Sequence, residues 1–165
     1  TTGVNSKSRR SAQSALYHIT HALLRLMAPV LSFTAEEACE VMGNVEASVF
    51  CNEFYKVPKV AHAETLASKW TGLLALRARV VKELENLRTE GKIGSSLQGA
   101  VALQLPADLY AAAESLGDNL KFLFIVSGAT IAKASEEKIE VRIAEGEKCE
   151  RCWHYRSDVA RLSAG

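Results

Sequence analysis

No run of the sequence stays apolar for the ~20 residues that a membrane-spanning helix requires, and no charged-then-apolar secretory start opens it. Cysteine is scarce and unevenly spaced, at positions 39, 51, 149 and 152. Without a secretory start, that usage suits a reducing cytosol better than a disulfide framework, and the expected location is cytoplasmic. No Gly-x-x-x-x-Gly-Lys-Ser/Thr loop is present, so a P-loop nucleotide site is excluded. No Ser/His/Asp arrangement and no paired carboxylates stand in a recognisable catalytic context, so no catalytic residue is assigned. Acid is missing altogether from residues 1–35. The chain opens Thr-Thr-Gly and closes Ser-Ala-Gly, which reads as a piece of a longer protein.

What is present is ordinary for a globular chain: 48% apolar and 24% charged residues, enough at 165 residues to bury a core. The net charge of +1 is unevenly placed. Lys7, Arg9, Arg10 and Arg25 give residues 1–35 a charge of +4, and residues 148–161 carry +2, leaving −5 for the middle. Two basic ends around an acidic middle suit a chain that meets phosphates at its ends, although solvated helix faces produce the same pattern.

Along the chain, Ala12, Ala15, Leu16, Ile19, Ala22, Leu23 and Leu26 recur at three- and four-residue steps, which predicts a helix over 8–28 with a core-facing stripe. Its opposite face offers Lys7, Arg9, Arg10, Gln13, Tyr17 and His21, a set that can lie along a nucleic-acid backbone with Tyr17 stacking on an exposed base. Pro29 ends that helix. Thr34 with Glu37 reads as a capping box opening a second helix from Ala35 to Met42, stopped by Gly43-Asn44. Cys39 falls on its apolar side, residues 45–66 read as irregular, and Cys51 as a buried small hydrophobe. Trp70, Leu73, Leu74, Leu76, Val80, Val81, Leu84 and Leu87 mark a long helix over 68–90, with Arg79–Glu83, Lys82–Glu85 and Glu85–Arg88 at pairing distance. Gly91-Lys-Ile-Gly94 ends it. A Gly-x-x-Gly loop of the nucleic-acid-clamping kind joins two helices, whereas this one joins a helix to a strand.

Residues 95–147 then give strand, helix, helix, strand, strand: an alternating run from Leu97 to Leu105, helices over 106–116 and 120–126, and strands over 129–132 and 138–144. The predicted class is α+β: part of a helical bundle, a long connecting helix, a three-stranded sheet carrying two helices, and an incomplete zinc knuckle. The expected division is 1–66, 67–94, 95–147 and 148–165.

Cys149-Glu-Arg-Cys152-Trp-His-Tyr155 is the most chemical stretch. Two cysteines spaced this way can place both thiolates on one tetrahedral zinc. A second pair is then expected after ~15–20 residues, beyond position 165, so Cys149 and Cys152 form half a site. His154 is a conceivable third ligand strained by its position, and a thioredoxin-like redox pair is the competing reading, although the helix-opening context is missing.

Met27-Ala-Pro, Phe33-Thr-Ala-Glu-Glu, Ile93-Gly-Ser-Ser-Leu and Cys149-Glu-Arg-Cys-Trp occur in one order. In this set the chain resembles the C-terminal part of the bacterial isoleucyl-tRNA synthetase family, from its anticodon-binding helices through a small α/β module to its C-terminal zinc element. Departures are Cys39, where the family more often has tryptophan, and Gln98 in place of a glutamate. His18-Ile-Thr-His21 looks like the family's ATP-binding His-Ile-Gly-His but lacks the glycine and lies within a helix. The resemblance implies a parent enzyme that uses ATP and Mg²⁺ in a catalytic domain missing here, so this part should be inactive alone. It implies zinc at the knuckle, isoleucine tRNA as partner, no DNA or membrane, and a monomer. Arg9, Arg10, Tyr17, Arg151 and Trp153 become the expected tRNA contacts, with Trp153 either bracing the RNA or serving as the knuckle's hydrophobic plug. A zinc-dependent protein-interaction module and a structural scaffold are the other classes that fit.

Overall fold

Ser6 begins the first helix. Its hydroxyl accepts the Arg9 N–H at 3.2 Å, capping α1 (Lys7–Met27). The computed structural model describes residues 3–43 and 48–159, which divide into two units, Thr1–Ala61 and His62–Gly165.

In the first unit the chain turns at Pro29, where the N–H groups of Val30 and Leu31 both bond to the Met27 carbonyl at 2.9 and 2.8 Å. The corner is tight enough that α2 starts at once, spanning Ser32–Met42, with the Ser32 hydroxyl donating to the Ala28 carbonyl at 3.0 Å. Thr34 therefore lies inside α2, and the expected capping box with Glu37 does not form. Glu36 has the tying role instead: its Oε2 accepts the Val49 N–H at 2.8 Å and the Ser48 hydroxyl at 3.1 Å, anchoring a 3-10 turn at Val49–Cys51. Gly43 closes α2 at φ 67°, a left-handed position that a side chain resists. Asn44 lies outside the described residues.

Leu24, Ala28, Ala35, Cys39 and Val49 form this unit's core. The stripe expected to face it does not: Leu16, Ile19, Leu23 and Leu26 are exposed, while His21, expected on the outer face, is only 4% exposed. The reason is the side from which partners arrive. Both α2 and the 48–55 segment fold onto the His21–Leu24–Ala28 side of α1, and periodicity alone cannot say which of two apolar-bearing faces they choose. Cys51 is likewise exposed, its 3-10 turn having turned Val49 inward in its place.

The second unit is built on α3 (Ala63–Thr89). Leu73, Leu76, Val80 and Leu84 of this helix are buried with Val101, Leu103 and Leu105 of β1 (Gly99–Leu105) and with Leu120, Phe124 and Val126. Trp70, Leu74 and Val81, expected on the same face, are at its exposed margins. The helix expected to link modules thus supplies one wall of the second unit's core. Of the three expected pairs only Glu85–Arg88 forms; Arg79 makes a two-pronged contact with Glu137 at 2.6 and 2.7 Å.

After β1 come α4 (Ala107–Glu114), a 3-10 turn, and the five-residue α5 (Leu120–Phe124), leading to β2 (Gly128–Lys133) and β3 (Lys138–Ile143). The sheet order is β2-β1-β3, parallel between β1 and β2 and antiparallel between β1 and β3. Residues 101, 103 and 105 of β1 are buried toward the helices, and residues 102 and 104 face the other way. A hairpin of β4 (Glu147–Lys148) and β5 (Tyr155–Arg156) follows. The mixed α+β class, with a three-stranded sheet, two helices on it and a cysteine-bearing hairpin, agrees with the sequence expectation.

Leu76 is fully buried in this core. Leu76→Ala should cost about 2–5 kcal/mol, the range for a buried leucine truncation. Urea unfolding followed on second-unit signals checks this, and an effect near zero would place α3 outside the core.

Candidate nucleic-acid interface

Residues 149–154 form the turn of the β4–β5 hairpin. Cys149 N–H donates to the His154 carbonyl at 2.9 Å, and Trp153 N–H to the Cys149 carbonyl at 2.8 Å, which closes the turn and brings both cysteines into it. The approach of the two strands requires Gly146, at φ 100°, where any Cβ would meet the Arg156 carbonyl. Backbone N–H groups of Cys152 and Arg151, then the Cys152 thiol, point at the Cys149 sulfur and hold its thiol below the usual range, with Arg156 adding to the effect. A sulfur that already receives N–H groups is suited to bind a cation as thiolate. The residues present fit two of the four ligands of a tetrahedral zinc. Among the described residues no group of three or more His, Cys, Asp or Glu converges to supply the rest. His154 does not join the cysteines. Its ring packs edge-on against Phe122 at 5.5 Å, and its Nδ1 is buried without a partner. Burial chiefly, with Lys121 nearby, lowers its pKa.

Trp153 projects from this turn 61% exposed, at φ 63°, with the Lys148 ammonium 5.5 Å from its ring centroid. Arg151 is exposed on the same turn. Among the described residues Trp153 is left largely uncovered.

On the first unit, Arg9 and Arg10 are exposed in the opening turns of α1, and among the described residues neither forms an ion pair. Tyr17 is 43% exposed but set against its neighbours, its ring 4.3 Å from that of His21 and 5.6 Å from that of His18. The two histidines are structural. Tyr55 stacks on His21 with ring centroids 5.3 Å apart, its hydroxyl 2.6 Å from His18 Nδ1. Arg25 donates to the His21 carbonyl at 2.9 Å and to Asn52 Oδ1 at 3.1 Å, with a nitrogen 3.0 Å from His21 Nδ1. Sequence reasoning missed Tyr55 and Asn52 as the partners of this face, since 27 to 37 residues separate them from α1 and nothing local signals the pairing.

Residues 2–104 match the family described as the anticodon-binding domain of tRNA ligase. The chain belongs to that family. Residues 146–164 match a zinc finger found in FPG and IleRS, which begins at the hairpin just described. Isoleucine–tRNA ligase from Janthinobacterium sp. (strain Marseille) is 50% identical over 96% of this chain, and that from Burkholderia ambifaria (strain MC40-6) is 49% identical over the same share. The chain spans 17% of the length of these curated relatives. Exposed cations and aromatics coincide on α1 and, separately, at the knuckle.

Burial, then Arg25 and His18, lower the pKa of His21 from its ordinary value of 6.5. The unfolded chain therefore takes up this proton more readily than the folded one. Stability of the first unit should fall as pH drops below that value, by at most about 1.4 kcal/mol per pH unit for one proton. Hydrogen exchange at the amides of residues 49–55, compared at pH 7.5 and 5.5, should show the loosening, and His21→Phe should remove it. Protection unchanged at the lower pH would contradict the assignment.

Proposed function

We propose that this chain is the anticodon-region-binding part of an isoleucine–tRNA ligase, a cytoplasmic, monomeric enzyme that attaches isoleucine to its tRNA with ATP and Mg²⁺. The chemistry belongs to a catalytic domain outside this chain, which alone is inactive. Arg9, Arg10, Arg151 and Lys148 neutralise RNA phosphates, while Tyr17 and Trp153 offer aromatic surface to unpaired bases. The observation that carries this reading is Trp153: a large aromatic left exposed on a fixed left-handed turn and flanked by cations matches single-stranded RNA recognition. Tyr17 contributes one edge only, because its ring is partly engaged by His21.

Cys149 and Cys152 hold zinc together with two ligands outside the described residues. Bound there, zinc crosslinks the turn and contributes no reaction chemistry. Arg151 and Trp153 are then carried on a rigid loop. Phosphate contacts set register, and base contacts set specificity.

Fluorescence anisotropy of labelled isoleucine tRNA at several salt concentrations tests the reading. Binding should weaken steeply with salt. Arg9→Ala with Arg10→Ala should weaken isoleucine and noncognate tRNAs alike and reduce the salt slope by roughly 2. Trp153→Ala should act mainly on the isoleucine tRNA. No binding at low salt would sink the RNA role and leave a scaffold or a protein-interaction module. In the longer protein, Cys149→Ser should bring bound zinc, measured by elemental analysis, to background; retained stoichiometric zinc would remove Cys149 from the ligand set.

A further inference from the structure

The cysteine turn sits on a hairpin too small to hold itself. Its strands pair at two positions, Glu147 with Arg156 and Lys148 with Tyr155, and an isolated two-stranded hairpin is at best marginally stable in water. One end of the three-stranded sheet grips both of its arms. On the incoming arm, Ala144 N–H, just past β3, donates to the Gln98 carbonyl at 2.7 Å. On the outgoing arm, Tyr155 N–H donates to Ser127 Oγ at 2.7 Å. Gln98 reaches this arm too, its Nε2 donating to the Tyr155 hydroxyl at 3.2 Å.

The gripping groups are themselves held. The Ser127 hydroxyl uses its own proton on the Leu97 carbonyl at 2.6 Å, and the Ser127 N–H donates to the Gly99 carbonyl at 3.0 Å. Gln98 Oε1 accepts the N–H groups of Gly94 and Ser95. The hydroxyl therefore cannot rotate away from Tyr155 without losing a second bond, and the Gln98 amide cannot flip without turning its NH₂ onto two N–H donors. Tyr155 stands opposite Lys148, the residue before Cys149, and the Cys149 N–H closes the turn on the His154 carbonyl. Fixing Tyr155 thus fixes the position from which Cys149 starts. None of these gripping bonds uses a cysteine sulfur, so the sheet and a metal act on the turn through different atoms.

We propose that Ser127 and Gln98 are positioning residues for the zinc site: the end of the sheet sets the shape of the Cys149–Cys152 turn, and zinc binds a turn already in place. The ordering of this half of the site is then met on folding of the α/β part and not on metal binding. This rests on the zinc reading above and adds two residues that touch no metal.

The test has two arms. In the 165-residue chain with a chelator present, hydrogen exchange at the Cys149 and Trp153 amides should be slower than in an unstructured peptide. Ser127→Ala should bring both to the unstructured rate while the β1 amides stay protected, and Ser127→Thr, which keeps the hydroxyl, should restore them. In the longer protein, competition with a zinc-binding dye should show Ser127→Ala weakening zinc by roughly ten- to a hundredfold. Gln98→Leu should weaken it in the same direction and Gln98→Glu should not, because a carboxylate accepts the same N–H groups and the Tyr155 hydroxyl. Free exchange of both turn amides in the chelated chain, or zinc affinity indifferent to Ser127→Ala and Gln98→Leu, would overturn the positioning role and leave zinc binding standing. Turn protection that depends on Ser127, in a longer protein that takes up no zinc, would overturn the zinc reading beneath it.

Discussion

The second unit depends on one apolar seam, in which Leu73, Leu76, Val80 and Leu84 of α3 are buried with Val101, Leu103 and Leu105 of β1. Residue alternation along β1 means that this seam also decides which way its partners face. With residues 101, 103 and 105 committed inward, β2 and β3 must pair on either side in the observed register. The residues at the start of β1 then reach the hairpin. The Gly99 carbonyl takes the Ser127 N–H at 3.0 Å, and the Ser127 hydroxyl takes the Tyr155 N–H. Burial of four aliphatic side chains in a helix is in this way linked, through two hydrogen-bonded steps, to the position of Trp153.

The first unit solves a different problem with polar groups. Its apolar core is small, and the 48–55 segment is held to α1 by a Tyr55–His21 stack, a His18–Tyr55 contact and an Arg25–Asn52 bond. Arg25 is thereby used inside the unit, although by sequence it counts among the cations of the acid-free first 35 residues. Arg9 and Arg10 stay outside it. The difference is position along α1: a guanidinium one turn from His21 finds carbonyl and amide acceptors, whereas among the described residues those of Arg9 and Arg10 form no ion pair.

The hairpin that carries Cys149 and Cys152 is supported from below, by Ser127, Gln98 and the Phe122 edge against His154. The half-buried His154, offered by sequence as a conceivable ligand, is instead part of this floor. A ring taken up in packing cannot at the same time swing to a metal two residues away. Gln98, notable in sequence only as a departure from glutamate, turns out to connect loop and hairpin through both ends of its amide.

Much was legible in the order of residues alone. The α+β class, the strand–helix–helix–strand–strand succession, the helix stop at Pro29 and the cysteine turn all follow from local chemistry, since proline, glycine, alternation and a two-residue cysteine spacing act over a few neighbours. The family resemblance rested on four short motifs that keep their order. Three things could not be read there. Which face of α1 is buried depends on where α2 and Tyr55 arrive; whether Thr34 caps a helix depends on how tightly the chain turns at Pro29; and whether Trp153 is covered or exposed depends on what the hairpin rests upon. Each is decided by groups far apart in the chain, and only the tertiary structure brings them together.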